Sequence, residues 1–301
     1  MAGRDREWDR KRDRDRHEAK GRQQDPGRRR SAQDEREEGE QEEWIAGKHP
    51  VLEALKAGRD INKIWIAEGG NRHVTQPIVA EAKKLGIVVQ FVDKRKLDQT
   101  VQDVPHQGVI AQAAAYRYAE VDELIAAAEA KGEEPFLIIL DEIEDPHNLG
   151  SILRTAECTG VHGVIIPNRR SASLTPTVSK TSAGAVEYVP VARVTNLAQT
   201  IDKLKERGIW VAGTDVNDAE EVYRANFNLP LAIVIGNEGK GIGRLIREKC
   251  DFLVKLPMHG RLNSLNASVA AGVLMYETVR QRLHARRTAA ASAGSPSGTS
   301  G

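Results

Sequence analysis

The chain has 301 residues, 40% hydrophobic and 29% charged, with a formal net charge of +1. That length suits about two domains, and the balanced charge gives no composition-wide nucleic-acid signature. Two distant cysteines, Cys158 and Cys250, lack Cys-x-x-Cys spacing; this argues against a disulfide framework or a metal site.

Residues 1–42 carry few aliphatic side chains and are dominated by Arg, Lys, Asp, Glu and Gln. Such a segment cannot bury enough apolar surface to offset its ordering entropy, so a disordered charged tail is expected. Its first thirty residues lean basic, through Arg28-Arg29-Arg30, and Asp34 to Glu42 lean acidic. A basic arm can touch phosphates, although charged tails are often only solvated. The N-terminus has no apolar signal core, and no apolar run approaches the roughly 20 residues that cross a bilayer. A cytoplasmic protein with no membrane partner is expected.

A first α/β unit is expected over 43–115. A helix starts at Pro50 to Lys56, strands lie at Lys63 to Ala67, Ile87 to Val92 and Gly108 to Ala115, and Pro77 to Leu85 reads as helix. Residues 116–132, charged and Ala-rich from Val121 to Lys131, read as a linker. A second domain is expected over 133–284, opening on the continuous apolar run Phe136 to Leu140, of buried-strand type. A helix follows, with Leu149, Ile152, Leu153 and Ala156 on one face and Gly160 at its end. Further strands are predicted at Val164 to Pro167, Val186 to Val194, Trp210 to Thr214, Leu231 to Gly236 and Leu253 to Leu256. Helices are predicted near Leu197 to Arg207 and Ile242 to Glu248, then a long one from Ser264 to His284. Residues 285–301, rich in Ala, Ser and Gly, read as a flexible tail. Alternating strands and helices argue for a mostly parallel α/β sheet, with ligands beyond the carboxyl ends of its strands.

Three loops at such strand ends concentrate the polar residues. Asp141 to Asn148 precedes a helix that Asn148 could simply cap. Arg154 lies opposite that helix's apolar stripe, as a solvated charge or as a ligand for a phosphate or ribose oxygen. Gly236-Asn237-Glu238-Gly239-Lys240-Gly241-Ile242-Gly243 lets backbone approach a ligand closely, or makes a plain tight turn. It matches neither the phosphate-binding loop nor the dinucleotide fingerprint. Leu256 to Asn263 leads into Ser264-Leu265-Asn266-Ala267-Ser268, where Ser264 or Asn266 could cap the last helix.

Together these segments resemble the SpoU/TrmH family of RNA ribose methyltransferases, within the SPOUT class. Pro146 to Ala156 is similar to its first motif, Ile235 to Gly241 to its second, and Leu256 to Ala270 to its third. Gly47-Lys48-His49-Pro50-Val51-Leu52-Glu53-Ala54-Leu55 and His106-Gln107-Gly108-Val109 are similar to the substrate-binding domain of the RlmB-like subgroup. The resemblance implies a C-terminal trefoil knot, a homodimer using the last helix (Val269, Val273, Tyr276 and Leu283), and an RNA-binding small domain that His49 and Trp44 either serve or merely pack. It implies S-adenosylmethionine as cofactor, held around Thr214, Gly236, Leu256, Met258 and Leu265. Arg154, Asn148, Glu238, Ser264 and Asn266 are implied in catalysis. The implied substrate is a guanosine ribose of large-subunit ribosomal RNA, with transfer RNA, another ribosomal nucleotide, or a non-catalytic RNA-binding role in ribosome assembly as alternatives.

Overall fold

The computed structural model describes residues 42–70, 72–102, 104–215 and 219–293. The charged tail expected over 1–42 lies outside them except for Glu42, as does the end of the tail expected over 285–301.

The first unit is a four-stranded sheet in the order β1-β4-β2-β3, built from β1 (Glu42–Ala46), β2 (Ile61–Ala67), β3 (Val88–Val92) and β4 (Val109–Ala114). Helices α1 (Lys48–Lys56) and α2 (Arg72–Lys84) pack one face through Val51, Leu55 and Ile78, and α3 (Lys94–Thr100) covers part of the other through Leu97. The two stretches that resemble a substrate-binding domain lie side by side, because Gly47 N donates to Val109 O at 3.0 Å. His106 is buried and accepts from Gly108 N through Nδ1, while Nε2 meets Asp98. It fixes a turn in which Gln107 and Gly108 both have positive φ. His49 is exposed.

The second sheet has seven strands in the order β7-β6-β5-β10-β8-β11-β9, with parallel pairing throughout. They are β5 (Phe136–Leu140), β6 (Gly163–Pro167), β7 (Val191–Val194), β8 (Trp210–Thr214), β9 (Glu220–Glu221), β10 (Leu231–Ile235) and β11 (Phe252–Lys255). All five residues of β5 and all five of β10 are buried. A strand's side chains alternate between faces, so these continuous apolar runs feed two cores. Phe136, Ile138, Leu140, Leu231, Ile233 and Ile235 meet α5 (Pro146–Thr159), α6 (Pro176–Thr181) and α9 (Ala267–Ala293). Leu137, Ile139, Ala232 and Val234 meet α4 (Val121–Ala130), α7 (Leu197–Glu206) and α8 (Arg244–Lys249). Burying both faces is the physical reason that a parallel sheet reads as unbroken hydrophobic runs.

Several elements differ from the sequence-based expectation. The segment expected as a linker contains α4, whose Leu124, Ile125 and Ala128 are buried against the sheet and whose first turn is closed by a Glu120–Glu123 capping box. The strand expected from Val186 begins only at Val191, because Ala185–Glu187 forms a 3₁₀ turn after Gly184, at φ 91°. The last helix continues past His284 to Ala293, through an Ala-rich stretch of high helix propensity.

A buried ion pair fastens the small unit to the large one. Arg59 Nη1 donates to Glu187 Oε1 at 2.9 Å, with their side chains only 9% and 5% exposed. Tyr116 Oη donates to the same oxygen at 3.0 Å, and the Arg59 guanidinium lies 3.5 Å above the Tyr116 ring centroid. Burial pushes the Glu187 carboxyl above its ordinary value against the pull of Arg59. Beside it, Tyr188 Oη donates to Glu53 Oε2 at 2.7 Å, and a Cβ on Gly184 would fall 2.6 Å from that of Glu53. Removing one partner of a buried pair strands the other charge, so Glu187→Ala should cost about 3 kcal/mol of stability. Urea unfolding followed by tryptophan fluorescence checks this; an unchanged midpoint would contradict it.

Candidate cofactor cleft and catalytic cluster

The carboxyl ends of β10, β8 and β11 open into a cavity of about 620 Å³. Ile235, Val254, Leu256 and Leu274 supply apolar surface, while Thr214, Asn263 and Ser264 add polar groups. Thr214 Oγ1 is anchored on Val234 O at 3.0 Å. Of the residues singled out in the sequence, Thr214, Gly236, Leu256, Met258, Leu265, Glu238 and Ser264 all line this space.

The glycine loop after β10 forms one wall. Asn237 and Gly241 exchange backbone hydrogen bonds of 3.1 and 2.8 Å, folding the loop back on itself. The fold-back brings Gly236 against its own chain, and a Cβ there would sit 2.2 Å from the Gly241 carbonyl carbon. No other residue fits without moving the loop. Two bonds tie it to the segment after β5: Gly243 N donates to Asp141 Oδ2 at 2.7 Å, and Asn237 Nδ2 to Glu142 O at 3.2 Å. Burial raises the Asp141 carboxyl above its ordinary value, and the Gly243 bond opposes this. In the sequence Asp141 was only one of an acidic cluster; its partner, about a hundred residues on, left no local signal.

At the cavity mouth, the three motif segments meet on one carboxylate. Glu238 Oε1 accepts from Asn148 Nδ2 at 2.9 Å, from Asn266 Nδ2 at 2.5 Å and from Ala267 N at 3.2 Å. Asn266 Nδ2 also reaches Asn148 Oδ1 at 2.9 Å. The simple capping role considered for Asn148 belongs to Asp145, whose side chain accepts from His147 N with Pro146 in the first turn. Asn148 is therefore inside the helix and free to face Glu238. Asn266 does both jobs: its Oδ1 accepts from Ser268 N and Val269 N, capping α9, while its amide nitrogen serves the cluster.

Arg154 stands apart. It is six residues beyond Asn148, about 9 Å along the helix axis at 1.5 Å per residue. It is exposed and makes no hydrogen bond or ion pair among the described residues. One turn back is Ser151, which with Thr155, Tyr223, Val269, Gly272, Val273 and Tyr276 lines a shallow, largely apolar groove between α5 and α9.

Against known proteins, residues 135–276 match the SpoU rRNA Methylase family, and residues 44–119 match a domain described as RNA 2′-O ribose methyltransferase substrate binding. YacO of Bacillus subtilis, named for the TrmH family of tRNA/rRNA methyltransferases, is 57% identical over 243 residues. The alignment covers 81% of this chain and 97% of YacO. The chain belongs to the TrmH/SpoU methyltransferase family. A Staphylococcus aureus member of the TrmH/SpoU group is 54% identical over 238 residues, covering 79% of this chain and 96% of its own. Among solved TrmH/SpoU folds, the SpoU methyltransferase AviRb of Streptomyces viridochromogenes, crystallised with AdoMet, aligns with a TM-score of 0.69 at 24% identity. That match covers 85% of this chain and 95% of AviRb. An rRNA methyltransferase from Sinorhizobium meliloti aligns with a TM-score of 0.67 at 23% identity, covering 79% and 87%.

The Glu238 junction can be tested without substrate. Glu238→Ala should release the Ala267 amide, whose hydrogen exchange would quicken roughly tenfold for the loss of one charge-assisted bond. Glu238→Gln, which keeps an acceptor oxygen, should fall between the two; equal exchange in all three proteins would contradict the junction.

Proposed function

We propose that this chain transfers the methyl group of S-adenosylmethionine to the 2′-hydroxyl of a guanosine ribose in large-subunit ribosomal RNA. The observation that carries the reading is the meeting of Asn148, Glu238 and Asn266 at the mouth of the strand-end cavity. The cavity suits the cofactor: its apolar floor fits a purine, Thr214 and Ser264 offer polar partners, and the glycine fold at Gly236 exposes backbone at close range. When bound, the sulfonium supplies an electrophilic methyl group, so the protein's task is to position and activate an oxygen nucleophile. Glu238 Oε2 forms no hydrogen bond among the described residues, which leaves it available to accept from an incoming hydroxyl. Asn148 and Asn266 hold that carboxylate in one orientation.

Arg154 is read as an anchor for the RNA phosphate or for the developing oxyanion. A guanidinium stays protonated under ordinary conditions, and this one is exposed with no carboxylate spending its charge. A homodimer accounts for its distance from the cluster. Val269 and Tyr276, 50% and 56% exposed, present an apolar strip on α9 beside Arg154's own turn of α5. A second chain seated there covers the strip and builds a composite site. The reading includes the C-terminal trefoil knot, which is carried over from the family resemblance. Transfer RNA is the alternative substrate, since the relatives are named for both RNA classes. No helix among the described residues is long and apolar enough to cross a membrane, and none of their acidic, His or Cys side chains cluster as a metal site.

Calorimetry with S-adenosylhomocysteine should show a complex with the wild-type chain and with Arg154→Ala, while Arg154→Ala loses methyl transfer to RNA by at least about a hundredfold. Near wild-type transfer by that variant would overturn the anchor role, and no binding by either protein would overturn the enzyme reading. Tyr276→Asp should give a monomer by light scattering together with loss of activity; an active monomer would remove the composite site. Ribose-methylation mapping of ribosomal and transfer RNA, with and without the gene, identifies the nucleotide.

A further inference from the structure

We propose that the open end of the small unit's sheet, around Trp44, is a stacking platform for an unpaired base of the RNA substrate. The inference rests on the RNA-substrate reading and adds to it a defined surface. Side chains directly opposite one another in paired strands share a face. Ala46, Ile110, Trp65 and Gln90 form one such row across the four strands, and Trp44 and Lys63 lie one pleat further along on the same side. Helix α3 covers the first row, with Leu97 and Val101 packed on Ala46, Trp65 and Ile110. It stops short of the second row. There Trp44 is half-buried, and Val88, which pairs with Lys63, is 55% exposed.

The uncovered end joins aromatic surface to positive charge. The Trp44 and Trp65 ring centroids are 4.8 Å apart. Trp65 is held in place, its Nε1 donating to Gln90 Oε1 at 2.9 Å. Lys63 Nζ lies 5.8 Å from the Trp44 ring centroid and 5.1 Å from that of Trp65, while Lys96 Nζ stands 4.2 Å over Trp65. Lys96 closes the run Lys94-Arg95-Lys96 at the start of α3. None of these four cations has an ion pair among the described residues, although carboxylates are near. Asp93 is engaged as the cap of α3, Asp98 by His106, and Glu43 by Arg59. A partly buried indole bordered by cations without ion pairs complements a base and its flanking phosphates. The charge disfavours an apolar protein partner, and an aromatic ring among lysines is the chemistry of single-stranded nucleic-acid sites.

The test uses the full-length protein and a fluorescein-labelled single-stranded RNA of mixed sequence, with affinity read by anisotropy across a salt series. Trp44→Ala should weaken binding about tenfold, Trp44→Phe should restore most of the loss, and Lys63→Glu with Lys96→Glu should weaken binding and flatten the salt dependence. Affinity for S-adenosylhomocysteine should stay at the wild-type value in every variant, showing that the fold is intact. If wild type binds the RNA and all these variants bind it equally, the platform is wrong while the RNA reading stands. If wild type binds no RNA, both fall together.

Discussion

A single carboxylate oxygen, Glu238 Oε1, holds three distant stretches of chain in register. One donor comes from the helix after the first central strand, one from the cap of the last helix and one from that helix's first backbone amide. Each loop alone is a turn with polar residues. Joined at this point, the loops become the rim of a cavity whose floor is the end of the sheet. The glycine fold that begins at Gly236 places Glu238 there, so the requirement for a residue without a side chain and the requirement for an acid two positions later are one constraint.

Much of the architecture could be read from the residues because the sheet is buried on both faces. Phe136 to Leu140 and Leu231 to Ile235 are unbroken apolar runs, and no other environment for so short a strand explains them as well. The unforeseen elements lack that signal. Strand β1 opens with two glutamates, α3 with three cations, and α4 presents only a narrow apolar stripe of Leu124, Ile125 and Ala128 between charged residues. The polar cluster was legible as a resemblance among three motifs, not as a contact. Local rules gave Asn148 a capping role, and only the closer competitor Asp145, followed by Pro146, shows why it is released from it. Arg154 was visible as a charge on the wrong side of an amphipathic helix; its isolation from the cluster emerged only in three dimensions.

The last helix has two clients. Ala267, Ala270 and Leu274 face the strand-end cavity, while Val269, Val273 and Tyr276 line the groove shared with α5. These sets alternate along one rigid element, and its first turn is fixed by Asn266, itself part of the polar cluster. Whatever settles on the groove therefore bears on the same helix that shapes the cavity wall, with only the width of a helix between them.

The pair formed by Arg59 and Glu187, sealed beneath Tyr116, gives the molecule a fixed angle where a hinge would be expected between two folded units. Neighbouring domains joined by a supple tether can explore many separations; here a change of angle would separate a buried charge from its partner. The span between the small sheet and the strand-end cleft thus becomes a measuring stick. Any molecule that engages the small sheet and the strand-end cleft together has to span the separation that this pair sets.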